Sequence, residues 1–121
     1  MKKVLYVEDD KINRFIVGKF LKADFELDMA EDGSTAIELV SKNKYDLILM
    51  DINLGKDSPD GVEMMKVIRK IGNYSNTPFF AVTAFALTGD KERFMEAGFD
   101  LYLPKPLERE ELIQNIYTFT N

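Results

Sequence analysis

The chain has 121 residues, which is room for one domain, and Leu, Ile, Val and Phe make up about 31% of it, well above the roughly 20% below which disorder is expected. Its formal net charge of −5 argues against a protein that tracks nucleic-acid phosphates, because such proteins need a basic face. Because the chain contains neither cysteine nor histidine, disulfides, thiolate nucleophiles, Ser-His triads and His- or Cys-ligated metals are excluded, which leaves carboxylates, lysine, hydroxyls and a hard cation for any chemistry.

Five short apolar runs predict β-strands. In chain order they are Val4–Val7, Phe25–Met29, Leu47–Met50, Phe79–Val82 and Leu101–Leu103. Between and after these runs, apolar residues recur at i, i+3, i+4 spacing, which predicts five helices. The helical patterns begin near Ile12, Ala36, Val62, Phe94 and Leu112. Strands and helices therefore alternate along the chain.

Residues that commonly cap helices stand near the predicted helix ends. Candidate N-caps are Asp10 for the first helix, Ser34 for the second, and Thr88 or Asp90 for the fourth. Gly72 and Gly98 stand where helix C-caps are expected, since glycine adopts the left-handed conformation that ends many helices. These residues support the boundaries that the apolar patterns indicate.

Five β/α repeats favour one parallel sheet with helices on both faces. The run Leu47–Met50 does not alternate between apolar and polar residues, as expected for a strand covered on both sides. With right-handed crossovers, we expect a single doubly wound, flavodoxin-like α/β sheet of five strands in the order 2-1-3-4-5. The longest weakly polar stretch, residues 79–87, is far shorter than the roughly 20 residues that span a bilayer. We therefore expect a soluble, cytoplasmic protein without membrane insertion.

Polar residues follow four of the predicted strands. Glu8 and Asp9 follow the first strand, Asp51 the third, Thr83 the fourth and Lys105 the fifth. In an open parallel sheet, ligands bind outside the carboxyl ends of the strands, near the point where the winding reverses. Because strands 1 and 3 are neighbours at that point, we expect the two acids after strand 1 to face Asp51.

These side chains together indicate chemistry on a phosphoryl group. Two carboxylates about 4 Å apart repel by roughly 4 kcal/mol at an effective dielectric of about 20, so three acids need a compensating cation. Carboxylates without histidine or cysteine select a hard ion, and proteins hold Mg²⁺ by one or two carboxylates, waters and phosphate oxygens. Lys105 and Thr83 supply a cation and a directional donor for phosphoryl oxygens. Asp51, alone at the end of the most buried strand, is the best candidate acceptor.

Across essentially the whole chain, these residues resemble the response-regulator receiver domains of two-component signalling, the CheY-like family. Five stretches carry the resemblance: Val4–Asp10, Asp46–Asp51, Asp60–Gly61, Val82–Ala84 and Leu103–Pro106. Each stretch is weak alone, whereas their joint occurrence in order at the strand ends is specific. The resemblance implies a receiver domain over residues 1–121, and we expect no output domain in this chain.

The resemblance implies a phosphorylation site and a magnesium site. Asp51 matches the phospho-accepting aspartate. Glu8 and Asp9 match the acidic pair that, with Asp51, holds Mg²⁺ directly or through water, and the backbone carbonyl of Asn53 matches the group that completes the metal shell. Lys105 matches the phosphoryl-binding lysine, and its bond to the following proline is expected to be cis.

The resemblance also implies a switch. Thr83 matches the switch hydroxyl, and Tyr102 matches the aromatic residue that turns inward when Thr83 moves toward the phosphoryl group. Ala84 matches a small residue that leaves the cleft open, and Phe85 lies where the access of water to the phosphoryl group is tuned. The surface made by helix 4, strand 5 and helix 5 is then expected to change and to signal to another protein.

The implied donor is a phosphohistidine on a sensor histidine kinase or a histidine phosphotransfer protein, because this chain has no histidine. The domain would act as a signalling switch or a phosphorelay step that catalyses only its own phosphorylation and dephosphorylation. Its downstream partner is expected to be a protein and not a nucleic acid. The identity of that partner and the formation of a homodimer stay open.

The chain departs from the family pattern in two places. The loop 53–61 is slightly longer than usual and carries Gly55 where a proline is common. Phe85, two residues after Thr83, stands where the family often has a polar residue. We expect its ring to shield the acyl phosphate from water and to slow its hydrolysis.

Other interpretations of single residues stay open from the sequence. The acids from Glu8 to Asp10 are also typical of a solvated helix start, and Thr83 is also typical of a strand. Lys105 between two prolines also fits a surface turn. For Tyr102, packing against the last helix explains the residue about as well as a rotating switch does.

Three other functions are compatible with this architecture. A hydrolase with an aspartyl-phosphate intermediate commonly carries a second acid two residues after its nucleophile, whereas the acids after the first strand are consecutive. A phosphorylation-independent binding module is disfavoured by the complete set of polar residues. A nucleotide- or flavin-binding protein would need a Gly-rich loop after the first strand, where acids stand instead.

The first predicted helix carries one further candidate surface. Asn13, with Ile12 and Phe15, is compatible with a docking face for a partner. An amphipathic stripe that faces the core accounts for the two apolar residues, so we expect Ile12 and Phe15 to pack against the sheet.

Overall fold

The computed structural model describes residues 1–54, 60–71, 73–84 and 88–121. Within these residues, five strands and five helices alternate along the chain. They are β1 (Lys3–Val7), α1 (Lys11–Leu21), β2 (Glu26–Ala30), α2 (Gly33–Lys42), β3 (Leu47–Asp51), α3 (Gly61–Lys70), β4 (Phe79–Thr83), α4 (Asp90–Ala97), β5 (Leu101–Pro104) and α5 (Arg109–Thr120). The strands form one parallel sheet in the order β2-β1-β3-β4-β5, which confirms the predicted doubly wound α/β fold. Among the described helices, none combines the length and the apolar character that crossing a membrane requires.

Helices cover both faces of the sheet because successive strand residues point to opposite faces. In β3, Ile48 and Met50 pack in a core cluster with residues of α2, α3 and α4. Leu47 and Leu49 pack on the other face with residues of α1 and α5. Every residue of β3 is buried, which explains why this strand shows no alternation of apolar and polar residues.

The strand ends differ slightly from the apolar runs. β3, β4 and β5 each continue one residue past the predicted run. β2 is displaced by one residue, from the predicted Phe25–Met29 to Glu26–Ala30. The reason is that the Phe25 amide donates to Leu21 O in the turn after α1, so Phe25 is buried in the core without pairing in the sheet.

The caps of the first two helices are both aspartates. Asp10 caps α1 as predicted, since its carboxylate accepts a hydrogen bond from the Ile12 amide at 3.0 Å. The prediction of Ser34 as the cap of α2 is wrong. Asp32 accepts from the Thr35 amide at 2.8 Å, the spacing that an N-cap requires, and Ser34 already lies inside the first turn.

Glycines stand at both ends of α4. The N-cap is Gly89, with φ of +86° and no side-chain cap, so the prediction of Thr88 or Asp90 is wrong. A left-handed backbone favours glycine, and Asp90 becomes the first residue of the helix. Gly98 ends α4 with φ of +124°, as predicted, while Gly72 lies outside the described residues.

The outer face of α1 carries exposed apolar side chains. Ile12 and Phe15 are 68% and 64% exposed, and Ile16 is 41% exposed. The expectation that Ile12 and Phe15 pack against the sheet is wrong. The large side chains that α1 buries are Val17 and Leu21, which lie about half a turn round the helix from the exposed ones. α1 therefore presents an apolar surface to solvent.

Arg69 joins two loops at the amino-terminal edge of the sheet. Its guanidinium donates to the backbone carbonyls of Tyr74, Ser75, Thr77 and Gly98. It also donates to the Asp100 carboxylate at 3.2 Å, and that carboxylate accepts from the Phe79 amide at 2.9 Å. The guanidinium lies 4.5 Å from the centroid of the Phe79 ring. One side chain thus fixes the segments that lead into β4 and β5.

Candidate functional site

Three carboxylates meet at the carboxyl edge of the sheet. Glu8 and Asp9 follow β1, and Asp51 is the last residue of β3. β1 and β3 are neighbours, with Val7 opposite Met50. One carboxylate oxygen of each acid lies within 4.8 Å of the other two, and Glu8 and Asp51 are buried whereas Asp9 is exposed. The topology thus brings together the three acids that the sequence predicts to face each other.

Lys105 brings a cation to this acidic cluster from the end of the edge strand β5. Its Nζ donates to Glu8 Oε1 at 2.6 Å and lies 3.5 Å from Asp51 Oδ1. The bond from Lys105 to Pro106 is cis, as the resemblance implies. Because the lysine side chain is largely buried against the acids, Lys105 is part of the cluster and not an exposed turn residue.

Thr83 ends β4 on the same edge of the sheet. The register places Val82 opposite Asp51, so Thr83 lies one residue beyond Asp51 on the neighbouring strand. Thr83 is buried, and its carbonyl accepts from the Lys105 amide at 2.8 Å. This bond joins the end of β4 to the segment that carries the lysine.

The chain leaves β3 through a close approach of two backbone segments. The Asn53 amide donates to Asp51 Oδ1 at 3.3 Å, and the Gly61 amide donates to Ile52 O at 2.9 Å. A Cβ at Gly61 would clash with Asp51 O and would lie 2.9 Å from Ile52 Cα. Glycine is therefore required where α3 begins against the end of β3. The predicted role of the Asn53 carbonyl stays a prediction.

Two residues that the sequence pattern did not indicate hold Glu8 in place. The Tyr6 hydroxyl donates to Glu8 Oε1 at 2.8 Å, and Arg14 Nη1 donates to Glu8 O at 2.8 Å. The sequence does contain a signal for Tyr6, because residues two apart in a strand share a face and a buried tyrosine hydroxyl needs a partner. Arg14 lies on α1, and its contact depends on the packing of that helix.

Tyr102 lies on β5 and packs against α4. Its ring stacks on the Phe94 ring, with 5.9 Å between centroids and an interplanar angle of 22°. It belongs to the core cluster on the face that α2, α3 and α4 cover, whereas α5 covers the other face. The interpretation that Tyr102 packs against the last helix is therefore wrong. Its role as a switch stays a prediction.

Some predicted features fall outside the described residues. These features are the ring of Phe85 and the loop that carries Gly55. Ala84 is described and is exposed just after β4. The predicted effects of these residues on water access and loop conformation stay predictions.

Burial and proximity shift the pKa values of Glu8 and Asp51 in opposite directions. Burial, together with the neighbouring Glu8 carboxylate, raises the pKa of Asp51 to about 8. Burial also acts to raise the pKa of Glu8, but hydrogen bonds with Asp51, Lys105 and Tyr6 outweigh it and lower that pKa. In the metal-free protein, Glu8 is therefore the stronger acid of the pair, and Asp51 holds its proton to a higher pH.

The cluster has the donor set of a magnesium site. Burial acts to lower the pKa of Lys105, but Glu8 and Asp51 outweigh it and raise the pKa. Burial and Glu8 raise the pKa of Asp9, which shows that the acids still repel one another beside the lysine. The three carboxylates offer hard oxygen ligands that approach one point, and this donor set suits Mg²⁺.

Comparison with known proteins identifies similar chains. Residues 4–117 match the model of the response regulator receiver domain family. The chain is 40% identical over 124 residues to hybrid signal transduction histidine kinase I of Dictyostelium discoideum, and the match covers 96% of this chain but 7% of that protein. It is 34% identical over 119 residues to the polar-differentiation response regulator DivK of Brucella anthropi, and this match covers 98% of the chain and 95% of DivK.

A solved structure shares the fold over nearly the whole chain. The receiver domain of sensor histidine kinase PA1611 from Pseudomonas aeruginosa PAO1 superposes with a TM-score of 0.87 at 32% identity, covering 98% of this chain and 97% of that one. The structure of that protein contains a magnesium ion coordinated in the active site cleft. With the family model matched from residue 4 to residue 117, the chain belongs to the response regulator receiver domain family of two-component signalling.

Proposed function

We propose that Asp51 accepts a phosphoryl group from a phosphohistidine of a partner protein, and that this modification switches the domain between two signalling states. The observation that carries the proposal is the convergence of Asp51 with two other acids and the Lys105 ammonium at one edge of the sheet. In the transfer, the bond between the imidazole nitrogen and phosphorus breaks, and a bond from an Asp51 carboxylate oxygen to phosphorus forms. The imidazole keeps the electron pair of the broken bond and takes a proton from solvent.

Glu8, Asp9, Asp51 and the backbone carbonyl of Asn53 would hold a magnesium ion. When bound, such an ion neutralises negative charge on a transferring phosphoryl group and on the acids around it. The proposal is supported by the meeting of three carboxylates within 4.8 Å and by the magnesium ion in the similar P. aeruginosa receiver domain. Asp51 attacks as the carboxylate, so the proton that it holds in the metal-free protein must leave first.

Lys105 and Thr83 bind the transferred group in this proposal. Lys105 Nζ lies 3.5 Å from Asp51 Oδ1, so a short movement takes the ammonium from Glu8 to the phosphoryl oxygens. Thr83 supplies a hydroxyl from the same edge of the sheet. The modification adds roughly 1.5–2 negative charges, and the two residues respond to that charge. Tyr102 then turns toward the space that Thr83 leaves, which changes the surface of α4, β5 and α5.

The donor in this proposal is a sensor histidine kinase or a histidine phosphotransfer protein, which docks on the outer face of α1. The similarity to a hybrid histidine kinase supports this class of donor. Ile12, Phe15 and Ile16 are exposed on α1, and the helix begins two residues after Asp9. This apolar face therefore begins close to Asp9 along the chain, and a donor that covers it would bring its histidine toward Asp51.

The output is a contact with another protein. The net charge of −5 disfavours a direct contact with nucleic acid, and homodimer formation through the α4–β5–α5 surface is one form that the contact can take. The domain's own chemistry is limited to its phosphorylation and dephosphorylation, so it works as a signalling switch or as one step of a phosphorelay.

Intact-protein mass spectrometry after treatment with acetyl phosphate tests this function. The parent is expected to gain the mass of one phosphoryl group with Mg²⁺ and to lose that gain with a chelator. Asp51→Asn keeps the shape of the side chain and is expected to gain nothing. Asp28→Asn is the control, because Asp28 lies on β2 outside the acidic cluster, and it should be labelled like the parent.

Three outcomes would contradict the proposal. Labelling of Asp51→Asn to the level of the parent would place the modification elsewhere. A parent that stays unlabelled with Mg²⁺ would favour a phosphorylation-independent binding module. Steady turnover of an added phosphate ester would instead indicate a hydrolase.

A further inference from the structure

Tyr6 and Lys105 donate to the same oxygen of Glu8. The Tyr6 hydroxyl lies 2.8 Å from Glu8 Oε1, and Lys105 Nζ lies 2.6 Å from it. Tyr6 and Glu8 are both completely buried. The Tyr6 donor is neutral and belongs to β1. The Lys105 donor is charged and lies at the end of a long side chain.

The Lys105 ammonium cannot bind both Glu8 and a phosphoryl group on Asp51 equally closely. Its Nζ is already 3.5 Å from Asp51 Oδ1, so a phosphoryl group on Asp51 competes with Glu8 for the ammonium. A buried carboxylate oxygen that loses its donors is costly. Tyr6 lowers this cost, because its hydroxyl stays on Glu8 Oε1 when the lysine moves.

We propose that Tyr6 is a positioning residue, which holds Glu8 through a neutral hydrogen bond and so releases Lys105 to a phosphoryl group on Asp51. This inference rests on the proposed function. The same bond keeps the Glu8 carboxylate beside Asp9 and Asp51, the acids that would hold the magnesium ion. Without the Tyr6 hydrogen bond, Glu8 would depend more on the Lys105 ammonium. That ammonium would then compete more strongly with Mg²⁺ for the Glu8 carboxylate.

Tyr45 provides a matched control for a purely structural role. Its hydroxyl also donates to a carboxylate oxygen, Asp28 Oδ2, at 2.6 Å, and its side chain is completely buried. Tyr45 precedes β3 whereas Asp51 ends that strand, and Asp28 lies in the middle of β2, opposite Leu5. Tyr45→Phe thus removes the same atom and the same kind of bond without touching the acidic cluster.

The test compares Tyr6→Phe and Tyr45→Phe in the full chain. Calorimetric titration with Mg²⁺ alone gives the affinity of the unmodified protein, and acetyl phosphate at saturating Mg²⁺ gives the rate of labelling. We expect Tyr6→Phe to weaken Mg²⁺ binding and to slow labelling, each by about tenfold, the effect of one hydrogen bond to a charged group. Tyr45→Phe should change neither quantity, although thermal unfolding should show a loss of stability in both variants.

A double-mutant cycle with Glu8→Gln separates positioning from general loosening of the fold. If Tyr6 acts through the Glu8 carboxylate, Tyr6→Phe has little further effect in the Glu8→Gln protein. The inference would be overturned if Tyr6→Phe left the Mg²⁺ affinity and the labelling rate unchanged, or if Tyr6→Phe and Tyr45→Phe lowered them equally. It would also be overturned if Tyr6→Phe lowered them by its full factor in the Glu8→Gln background.

The Mg²⁺ titration also separates this inference from the proposed function. If the parent is not labelled at Asp51, the proposed function is refuted. The Mg²⁺ affinities of Tyr6→Phe and Tyr45→Phe then test on their own whether Tyr6 positions Glu8. A parent that binds no Mg²⁺ overturns the inference as well.

Discussion

Lys105 Nζ lies 2.6 Å from Glu8 Oε1, although 97 residues of chain separate the two side chains. The contact reaches from the end of the edge strand β5 to the end of β1, past Asp51 on β3. In the metal-free protein, the Lys105 ammonium offsets part of the charge of Glu8 and Asp51. In the proposed function, a magnesium ion and a phosphoryl group would therefore replace contacts that already exist within the chain.

Lys105→Met is expected to lower the free energy of unfolding of the metal-free protein by about 2–4 kcal/mol, because it leaves buried Glu8 without its cation. Mg²⁺ should restore part of this loss, since an ion that binds the folded state stabilises it. Urea unfolding with a chelator and with Mg²⁺ measures both effects. Lys42→Met is the control, because its exposed pair with Glu38 should contribute less than about 0.5 kcal/mol. Equal small changes in the free energy of unfolding of Lys105→Met and Lys42→Met would contradict this prediction.

Asp51→Asn should stabilise the metal-free protein increasingly as pH rises from about 4 to about 8. Burial and Glu8 raise the pKa of Asp51 to about 8, so the folded parent holds a proton that the unfolded chain releases near its ordinary pKa. The stability of the parent therefore falls across this window and levels off above it. The lowered pKa of Glu8 acts in the opposite sense, because it adds stability as pH rises.

Urea unfolding at several pH values in the presence of a chelator measures this difference between Asp51→Asn and the parent. The difference in the free energy of unfolding should grow to about 1–3 kcal/mol at the upper end of the window. A difference that does not depend on pH would show that the Asp51 carboxyl is not protonated in the folded parent.

Gly61→Ala is expected to lower the free energy of unfolding by about 2–4 kcal/mol. Its Cβ would clash with Asp51 O and approach Ile52 Cα to 2.9 Å, so backbone must shift, and Asp51 with it. Gly18→Ala is the matched control within α1, where the nearest atoms would be 3.5 Å from the new Cβ and alanine favours the helix by up to about 1 kcal/mol. Thermal unfolding should give opposite signs for the two variants, and a neutral Gly61→Ala would be inconsistent with the close approach.

Phe15→Glu is expected to slow phosphoryl transfer from a phosphorylated histidine phosphotransfer protein by about tenfold, the effect of losing one well-packed interface side chain. Labelling by acetyl phosphate should stay at the rate of the parent, because Phe15 lies outside the acidic cluster. Val67→Glu, on the exposed face of α3, is the control and should affect neither reaction. Equal rates in Phe15→Glu and the parent with the protein donor would rule out docking on α1.

The fold and the edge that carries the cluster could be predicted because they depend on the order of the apolar runs. Glu8, Asp51 and Lys105 each stand at or just after the carboxyl end of a strand, and parallel strands place their carboxyl ends on one edge. Repulsion between the acids then predicts the need for a cation without any knowledge of side-chain geometry.

Other features depend on packing that a sequence pattern does not contain. The apolar spacing on α1 is satisfied by two different sets of residues, so the spacing alone does not show which set faces the core. In the structure, Val17 and Leu21 are buried, whereas Ile12 and Phe15 are exposed. Tyr6 is typical of a strand by its side chain alone. Its spacing places it on the same face as Glu8, but the bond between the two follows only when the burial and orientation of both side chains are known.

The loops that Arg69 ties together lead into β4 and β5, the strands that end near the acidic cluster. Because Arg69 anchors the amino-terminal ends of both strands, a displacement at their carboxyl ends would not be absorbed by sliding of the whole strands. In the proposed switch, such a displacement would pass to α4, whose Phe94 ring stacks on Tyr102. Arg69 would thereby hold the amino-terminal ends of β4 and β5 in place while the proposed modification moves their carboxyl ends.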